Sequence, residues 1–135
     1  MLQAEIAVKA PFYDIDPMNV VWHGNYVRYL EDARTALLER IGYTYKAMYE
    51  SRYAWPVVDM RIKYVRPVRL SQSISVIARL KEYEHRLKIE YRIVDADSGV
   101  TLTKAYTIQV AVSLETNEMQ FESPAALIDR VKSQL

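Results

Sequence analysis

The stretch that decides the fold runs from Tyr13 to Tyr26 and reads YDIDPMNVVWHGNY. It lies between a strand pattern and a long helix pattern, and His23 follows Asp16 by seven residues at the entrance of the helix. Backbone N–H groups at a helix start lack partners within the helix and carry the positive end of its dipole. A carboxylate that faces such donors can act as a base or a nucleophile while the donors bind a developing oxyanion. The stretch therefore predicts a site that suits hydrolysis of an activated acyl group.

Composition restricts the classes of protein that the chain can belong to. With 135 residues, of which 50% are hydrophobic and 26% charged, we expect one domain over residues 1–135 with a packed core. The formal net charge is +1, from 18 basic and 17 acidic residues, which gives no electrostatic case for nucleic acid as a partner. Cysteine is absent, so disulfides, thiolate nucleophiles and cysteine-based zinc sites are excluded.

Targeting and metal signals are also weak. The first residues lack the basic and apolar regions of a signal peptide, and no window has the apolar length of a membrane span. We therefore expect a cytoplasmic protein without a membrane span. The chain has two histidines, and His85 falls in a predicted turn distant from His23, so we expect no metal site.

Two segments have helical patterns. The longer one is predicted from Asn25 to Ile41, with Asn25 as the N-cap and Gly42 at the C′ position. Its apolar stripe consists of Tyr26, Tyr29, Leu30, Ala33, Leu37, Leu38 and Ile41. A shorter helix is predicted near the end of the chain, with Ser123 as the N-cap and Pro124 at N1.

Alternating apolar and polar residues predict five strands, at about residues 2–8, 58–64, 74–80, 87–93 and 102–112. Alternation of this kind is typical of an antiparallel sheet with one covered face. The predicted fold class is α+β, with one curled antiparallel sheet wrapped around the long central helix. Because one sheet on one helix leaves the sheet edges open, we expect at least a homodimer.

The loop and helix motif resembles a known family. The residues that carry the resemblance are Asp16-Pro17, the run from Val20 to Tyr26, Tyr29, Glu31 and Ala33-Arg34. They are similar to the 4-hydroxybenzoyl-CoA thioesterase family of the hot-dog superfamily, and within it to the short-chain acyl-CoA thioesterases associated with the Tol-Pal system. The resemblance implies a hot-dog fold, an acyl-CoA substrate, no cofactor, and a site at the subunit boundary of a homodimer or homotetramer.

By the same resemblance, Asp16 is the catalytic carboxylate, which either activates water or attacks the thioester carbonyl. The helix entrance at His23 and Gly24 supplies backbone donors to the thioester oxygen. Asp14 is the competing carboxylate, because in extended chain it would point the same way as Asp16. The chain departs from the family at Asn19, where close relatives usually have glycine. Asparagine tolerates positive φ better than other non-glycine residues, so we expect the turn to form.

Five further residues are predicted to bind substrate. Asn25, Trp22 and Tyr13 flank the predicted catalytic residues in the sequence, although Asn25 is first of all a helix cap. Lys63 and Arg66 are candidates for the phosphates of coenzyme A, because basic side chains, and arginine forks in particular, suit phosphate. The alternative interpretation of these two is a solvated charged face.

Two other functions fit the same residues. The first is hydrolysis of thioesters on an acyl carrier protein, an acidic partner that would dock on the basic region around Arg66 and Arg69. The second is a non-catalytic module that binds acyl-CoA, because fold alone does not establish activity. Turnover separates an enzyme from a binding module, and a salt-sensitive preference for the carrier-bound substrate separates the two enzymes.

Overall fold

The long helix is the centre of the fold, as predicted. The computed structural model describes residues 2–135, in which helix α1 runs over Tyr26–Arg40. Every residue of the predicted apolar stripe is buried, from Tyr26 through Ile41. Burying a leucine-sized side chain contributes about 1.5–3 kcal/mol, so this stripe is sufficient to hold the helix on the sheet.

Five antiparallel strands form the main sheet, and two short strands pair with each other in a second sheet. The strands are β1 (Gln3–Lys9), β2 (Tyr53–Ala54), β3 (Val57–Tyr64), β4 (Ser73–Glu82), β5 (Leu87–Asp95), β6 (Thr101–Gln109) and β7 (Val112–Ser113). The main sheet has the order β1-β4-β5-β6-β3. Helix α1 packs mainly on β1 and β4, at one side of this sheet. The predicted α+β fold is confirmed.

Two short helices complete the fold: α2 (Tyr45–Glu50) and α3 (Ala125–Lys132). The prediction for the start of α3 is wrong by one residue, since Pro124 has extended backbone and is itself the N-cap, while the Ser123 side chain makes no capping bond. The predicted last strand is also interrupted, because residues beyond Gln109 leave the main sheet and β7 pairs with β2. None of the helices within residues 2–135 is long and apolar enough to cross a membrane.

The two ends of α1 differ from each other. Asn25 is the N-cap residue of α1, as predicted, but it ends a 3₁₀ turn over His23–Asn25, already has helical backbone, and makes no side-chain capping bond. At the other end Gly42 has a φ of 71°, as expected for a C′ glycine. The N–H of Gly42 donates to Glu39 O, and the next N–H, of Tyr43, donates to Leu38 O. These two bonds form a Schellman motif.

Strand β3 differs from the predicted pattern of one covered face. It is an edge strand, and its apolar residues Val58, Met60 and Tyr64 are 57%, 44% and 45% exposed. The reason is that α1 packs mainly on β1 and β4, whereas β3 is the opposite edge of the sheet. The start of α1 contacts β3 at its last residue, where the ring of Tyr26 lies 4.8 Å from that of Tyr64. The apolar edge of β3 is therefore the least covered part of the sheet.

Replacing Gly42 by alanine should lower the free energy of unfolding by about 1–2 kcal/mol, because an L-residue is strained in the left-handed region. An added Cβ would meet nothing within 4 Å, so the backbone conformation alone should determine the cost. Urea unfolding followed by circular dichroism measures it. Gly42→Asn should cost less, since asparagine tolerates positive φ; an alanine variant as stable as the wild type would contradict the prediction.

Candidate functional site

A small hairpin carries Asp16. Ile15 and Val21 form an antiparallel bridge, and the N–H of Asp16 donates to Val20 O at 2.9 Å. Val21 in turn donates its N–H to Val68 O at 2.8 Å. These bonds hold the hairpin to the loop before β4, so that Asp16 has a defined position although it lies outside the main sheet.

The tip of this hairpin is built around the Asp16 side chain. Its Oδ1 accepts the N–H of Met18 at 2.8 Å, and its carbonyl accepts the N–H of Asn19 at 2.9 Å. Asn19 has a φ of 68°, so the turn forms with asparagine where glycine is usual, as predicted. The Asp16 carboxylate is partly exposed and keeps a second oxygen free of protein hydrogen bonds within residues 2–135.

The helix entrance lies directly after the hairpin. The N–H groups of His23 and Gly24 have no hydrogen-bond partner among residues 2–135, whereas the N–H of Asn25 closes the first turn on Trp22 O at 2.9 Å. These two groups are the first donors of a continuous helical segment that leads into α1. Free donors at the positive end of a helix dipole favour an anionic oxygen as ligand.

Aromatic rings surround these donors. The Trp22 indole, which is half-exposed, lies against Gly24 so closely that a Cβ added there would be 2.2 Å from the ring. The His23 ring lies 5.0 Å from the Trp22 ring and 6.4 Å, edge to face, from the ring of Tyr64. The Tyr64 hydroxyl donates to His23 O at 2.8 Å, which ties the helix entrance to β3. Nothing in the sequence signals this contact, because the two residues are 41 positions apart.

Tyr26, the first residue of α1, has a phenol with a raised pKa. Burial raises the pKa of Tyr26 above its usual value, and the nearby charges of Tyr64 and Asp16 add to that rise. The Tyr26 hydroxyl accepts the N–H of Val68 at 3.0 Å, and this hydrogen bond offsets part of the rise in the pKa of Tyr26. The hydrogen bond with Val68 ties the first residue of α1 to the loop before β4.

Asp14 does not occupy the position expected for a competing base. The expectation that it points the same way as Asp16 is wrong, because Asp14 belongs to a 3₁₀ turn rather than to extended chain. Its side chain is 2% exposed, accepts the Tyr29 hydroxyl at 2.6 Å and forms an ion pair with Arg28. The two neighbouring carboxylates consequently have different surroundings, and only that of Asp16 is open to a ligand.

The other predicted binding residues are dispersed. Tyr13 is mostly exposed and packs edge to face on Phe12. Lys63 precedes Tyr64 on β3, and since successive side chains of a strand point to opposite faces, it points away from the face that Tyr64 presents to His23. Arg66 lies beyond the end of β3. The structure thus brings Trp22, His23, Gly24 and Asn25 to the helix entrance, directly after the hairpin that carries Asp16. Tyr13 lies exposed just before that hairpin, and Lys63 and Arg66 lie on or beyond β3.

Arg66 lines a surface depression of about 280 Å³ together with Arg69, Gln72 and Asp95. Asp95 accepts hydrogen bonds from Gln72 Nε2 and from the N–H of Ser98, and these bonds hold its pKa at about 2. A phosphate here would meet two arginines and one permanently ionised carboxylate. The depression is therefore less favourable for an anion than the arginines alone suggest. No group of three or more His, Asp or Glu side chains suited to a metal ion occurs in the described part of the chain.

Comparison with known proteins places this geometry in a family. The model of the thioesterase-like superfamily matches residues 10–135. Protein sll0410 of Synechocystis sp. is 32% identical over 70% of this chain, but the match spans only 58% of its own length. YbgC of Escherichia coli O6:H1, named an acyl-CoA thioester hydrolase, is 29% identical over 78% of each chain. The crystal structure of TT1821 from Thermus thermophilus, a hypothetical protein, covers 96% of this chain and 98% of its own with a TM-score of 0.84 and 27% identity. The chain belongs to the thioesterase-like superfamily, whose hot-dog fold it has.

Proposed function

We propose that the protein hydrolyses acyl-CoA thioesters, with Asp16 as the catalytic carboxylate and the N–H groups of His23 and Gly24 as the oxyanion hole. The observation that carries the proposal is a partly exposed carboxylate, Asp16 at the hairpin tip, followed at the helix entrance by two backbone donors that have no hydrogen-bond partner among residues 2–135. A thioester oxygen on the donors would place the carbonyl carbon in front of Asp16. The acyl-CoA specificity of YbgC, stated by its name, agrees with this chemistry.

Two reaction routes use the same geometry. In the first, Asp16 takes a proton from water, the water oxygen attacks the carbonyl carbon, and the oxyanion is stabilised by His23 and Gly24. In the second, Asp16 itself attacks, and water then hydrolyses the mixed anhydride. In both routes the C–S bond breaks and coenzyme A leaves as a thiolate.

The finer features of the proposal concern substrate. The loop motif favours the 4-hydroxybenzoyl-CoA thioesterase family and its short-chain acyl-CoA branch. Trp22 and Asn25 lie next to the donors and would contact the thioester or the pantetheine arm, and the exposed Tyr13 would extend that surface. Lys63 and Arg66 would reach only the phosphates, since Lys63 points away from the face that Tyr64 presents to His23 and Arg66 lies beyond the end of β3.

The proposed assembly is a homodimer or homotetramer, built by pairing of β3 with a second copy. Both edges of the sheet carry exposed charges, Glu5 and Lys9 on β1 and Asp59, Arg61 and Lys63 on β3. The edges differ in their large apolar side chains, because β3 exposes Val58, Met60 and Tyr64 and β1 exposes none. Uncovered large apolar side chains on an edge favour pairing with another chain. Pairing along β3 would place the second copy next to Tyr64 and thus next to the site.

Asp16→Asn should lower kcat for thiol release about 10²–10⁴-fold, the range for loss of a general base. The amide keeps the size of the side chain and can still accept the Met18 N–H, so the hairpin should remain folded. The measurement is thiol release from a panel of acyl-CoAs, from short aliphatic to aromatic. Because the chain has no cysteine, a thiol reagent reports coenzyme A alone.

Asp32→Asn is the matched control for this variant, since Asp32 is an exposed carboxylate of α1 and its loss should leave kcat unchanged. A wild-type protein that binds acyl-CoA and releases no thiol would instead support a binding module. A salt-sensitive preference for acyl carrier protein thioesters over acyl-CoA would support the carrier-protein alternative.

Met60→Lys should weaken the assembly, because it places a charge on the apolar edge of β3. Light scattering after gel filtration should give the mass of two or four chains for the wild type and a smaller mass for the variant. Ala7→Lys, on the exposed face of β1, is the control and should leave the mass unchanged. Dissociation by the β1 substitution but not by the β3 substitution would overturn the choice of edge.

A further inference from the structure

Asp14 is a buried carboxylate that the proposed chemistry does not use. Its side chain is 2% exposed, and Oδ2 accepts the Tyr29 hydroxyl at 2.6 Å and pairs with the Arg28 guanidinium. A buried charge is costly unless it is paired and hydrogen-bonded, and both partners come from the first turns of α1. The carboxylate therefore ties the start of the hairpin to the helix.

The backbone of Asp14 strengthens the same connection. Its carbonyl oxygen accepts the N–H of Trp22 at 2.9 Å and Nδ2 of Asn25 at 3.0 Å. Arg28 Nη1 also donates to Asn25 Oδ1 at 3.4 Å. Asp14, Asn25 and Arg28 thus form a closed ring of hydrogen bonds at the base of the hairpin, with Trp22 attached to it.

This ring lies between the two groups that must act on one thioester. Asp16 follows Asp14 by two residues on one arm of the hairpin, and His23 and Gly24 follow Trp22 on the other. Resting on the proposed function, we infer that Asp14 is a positioning residue, which holds the Asp16 carboxylate in register with the two backbone donors through its contacts with Arg28, Tyr29 and Asn25. Asp14 makes no contact with substrate and transfers no proton.

The test compares Asp14→Asn with Arg28→Gln. Asparagine can still accept the Tyr29 hydroxyl but loses the ion pair, and Arg28 is half-exposed, so its variant should fold. A misplacement of about 1 Å can cost about 100-fold in rate, so each variant should lower kcat about 10- to 100-fold while KM changes less than about 2-fold. A merely structural role would lower the melting temperature and leave kcat unchanged well below it.

Two further variants distinguish the loss of the Asp14–Asn25–Arg28 ring from non-specific effects of a substitution on activity. Arg52→Gln breaks an exposed ion pair with Glu115 outside the site and should leave kcat unchanged. The double variant Asp14→Asn/Arg28→Gln should lose no more activity than the more affected single variant, because the two residues act through one contact. Multiplicative losses in the double variant would overturn the inference.

Amide hydrogen exchange gives a readout that does not depend on turnover. Asp14→Asn should speed exchange across residues 15–22 and leave the strands of the main sheet unchanged. If the wild type releases no thiol, the proposed function is wrong. The role of the Asp14–Asn25–Arg28 ring is then tested by amide hydrogen exchange alone. Unchanged exchange in the hairpin would then overturn the inference, and faster exchange confined to the hairpin would support it. Should the wild type be active and both single variants keep its kcat, the inference is overturned while the proposed function stands.

Discussion

The burial of one stripe of α1 against the sheet is the constraint on which the rest of the structure depends. Leu30, Leu37 and Leu38 lie in a continuous core, and they fix both the position and the rotation of the helix. Once the helix is fixed, its first turn is fixed too, and this is where His23 and Gly24 present their free N–H groups. A site made of backbone donors needs no particular side chain, but the position of the donors depends on a helix that is fixed by its packing on the sheet. The core and the candidate site are for this reason parts of one packing arrangement.

The motif also shows how two similar side chains acquire different roles. Asp14 and Asp16 are two residues apart in the sequence, yet one is enclosed by Arg28 and Tyr29 while the other sits at a hairpin tip with one oxygen free. Enclosure makes Asp14 a fixed anchor, since its charge is neutralised where it lies. Partial exposure leaves Asp16 open to water and to a substrate carbonyl. The proposal that Asp16 carries the chemistry therefore rests on its surroundings as well as on the motif.

Local patterns in the sequence predicted the features that depend on neighbouring residues. The 3.6-residue period of α1, the C′ position of Gly42 and the tolerance of Asn19 for positive φ are of this kind. The predictions failed where a turn or a distant contact redirected a side chain: Asn25 ends a 3₁₀ turn and donates to Asp14 O instead of capping α1, and another 3₁₀ turn at Asp14 buries its side chain. The exposed face of β3 follows from its position at the sheet edge opposite β1, and the contact of Tyr64 with His23 joins residues far apart in the chain. Neither could be derived from periodicity.

The central claim is that one thioester contacts both Asp16 and the donors of the helix entrance. The most direct measurement is the amide NMR spectrum of ¹⁵N-labelled Asp16→Asn protein with a saturating acyl-CoA that this variant does not hydrolyse. If the carbonyl oxygen binds at the helix entrance, the amide protons of His23 and Gly24 should show the largest downfield shifts in the chain. If those two resonances stay in place while amides elsewhere, such as that of Arg66, move on binding, the thioester lies in another part of the protein and the proposed site is wrong.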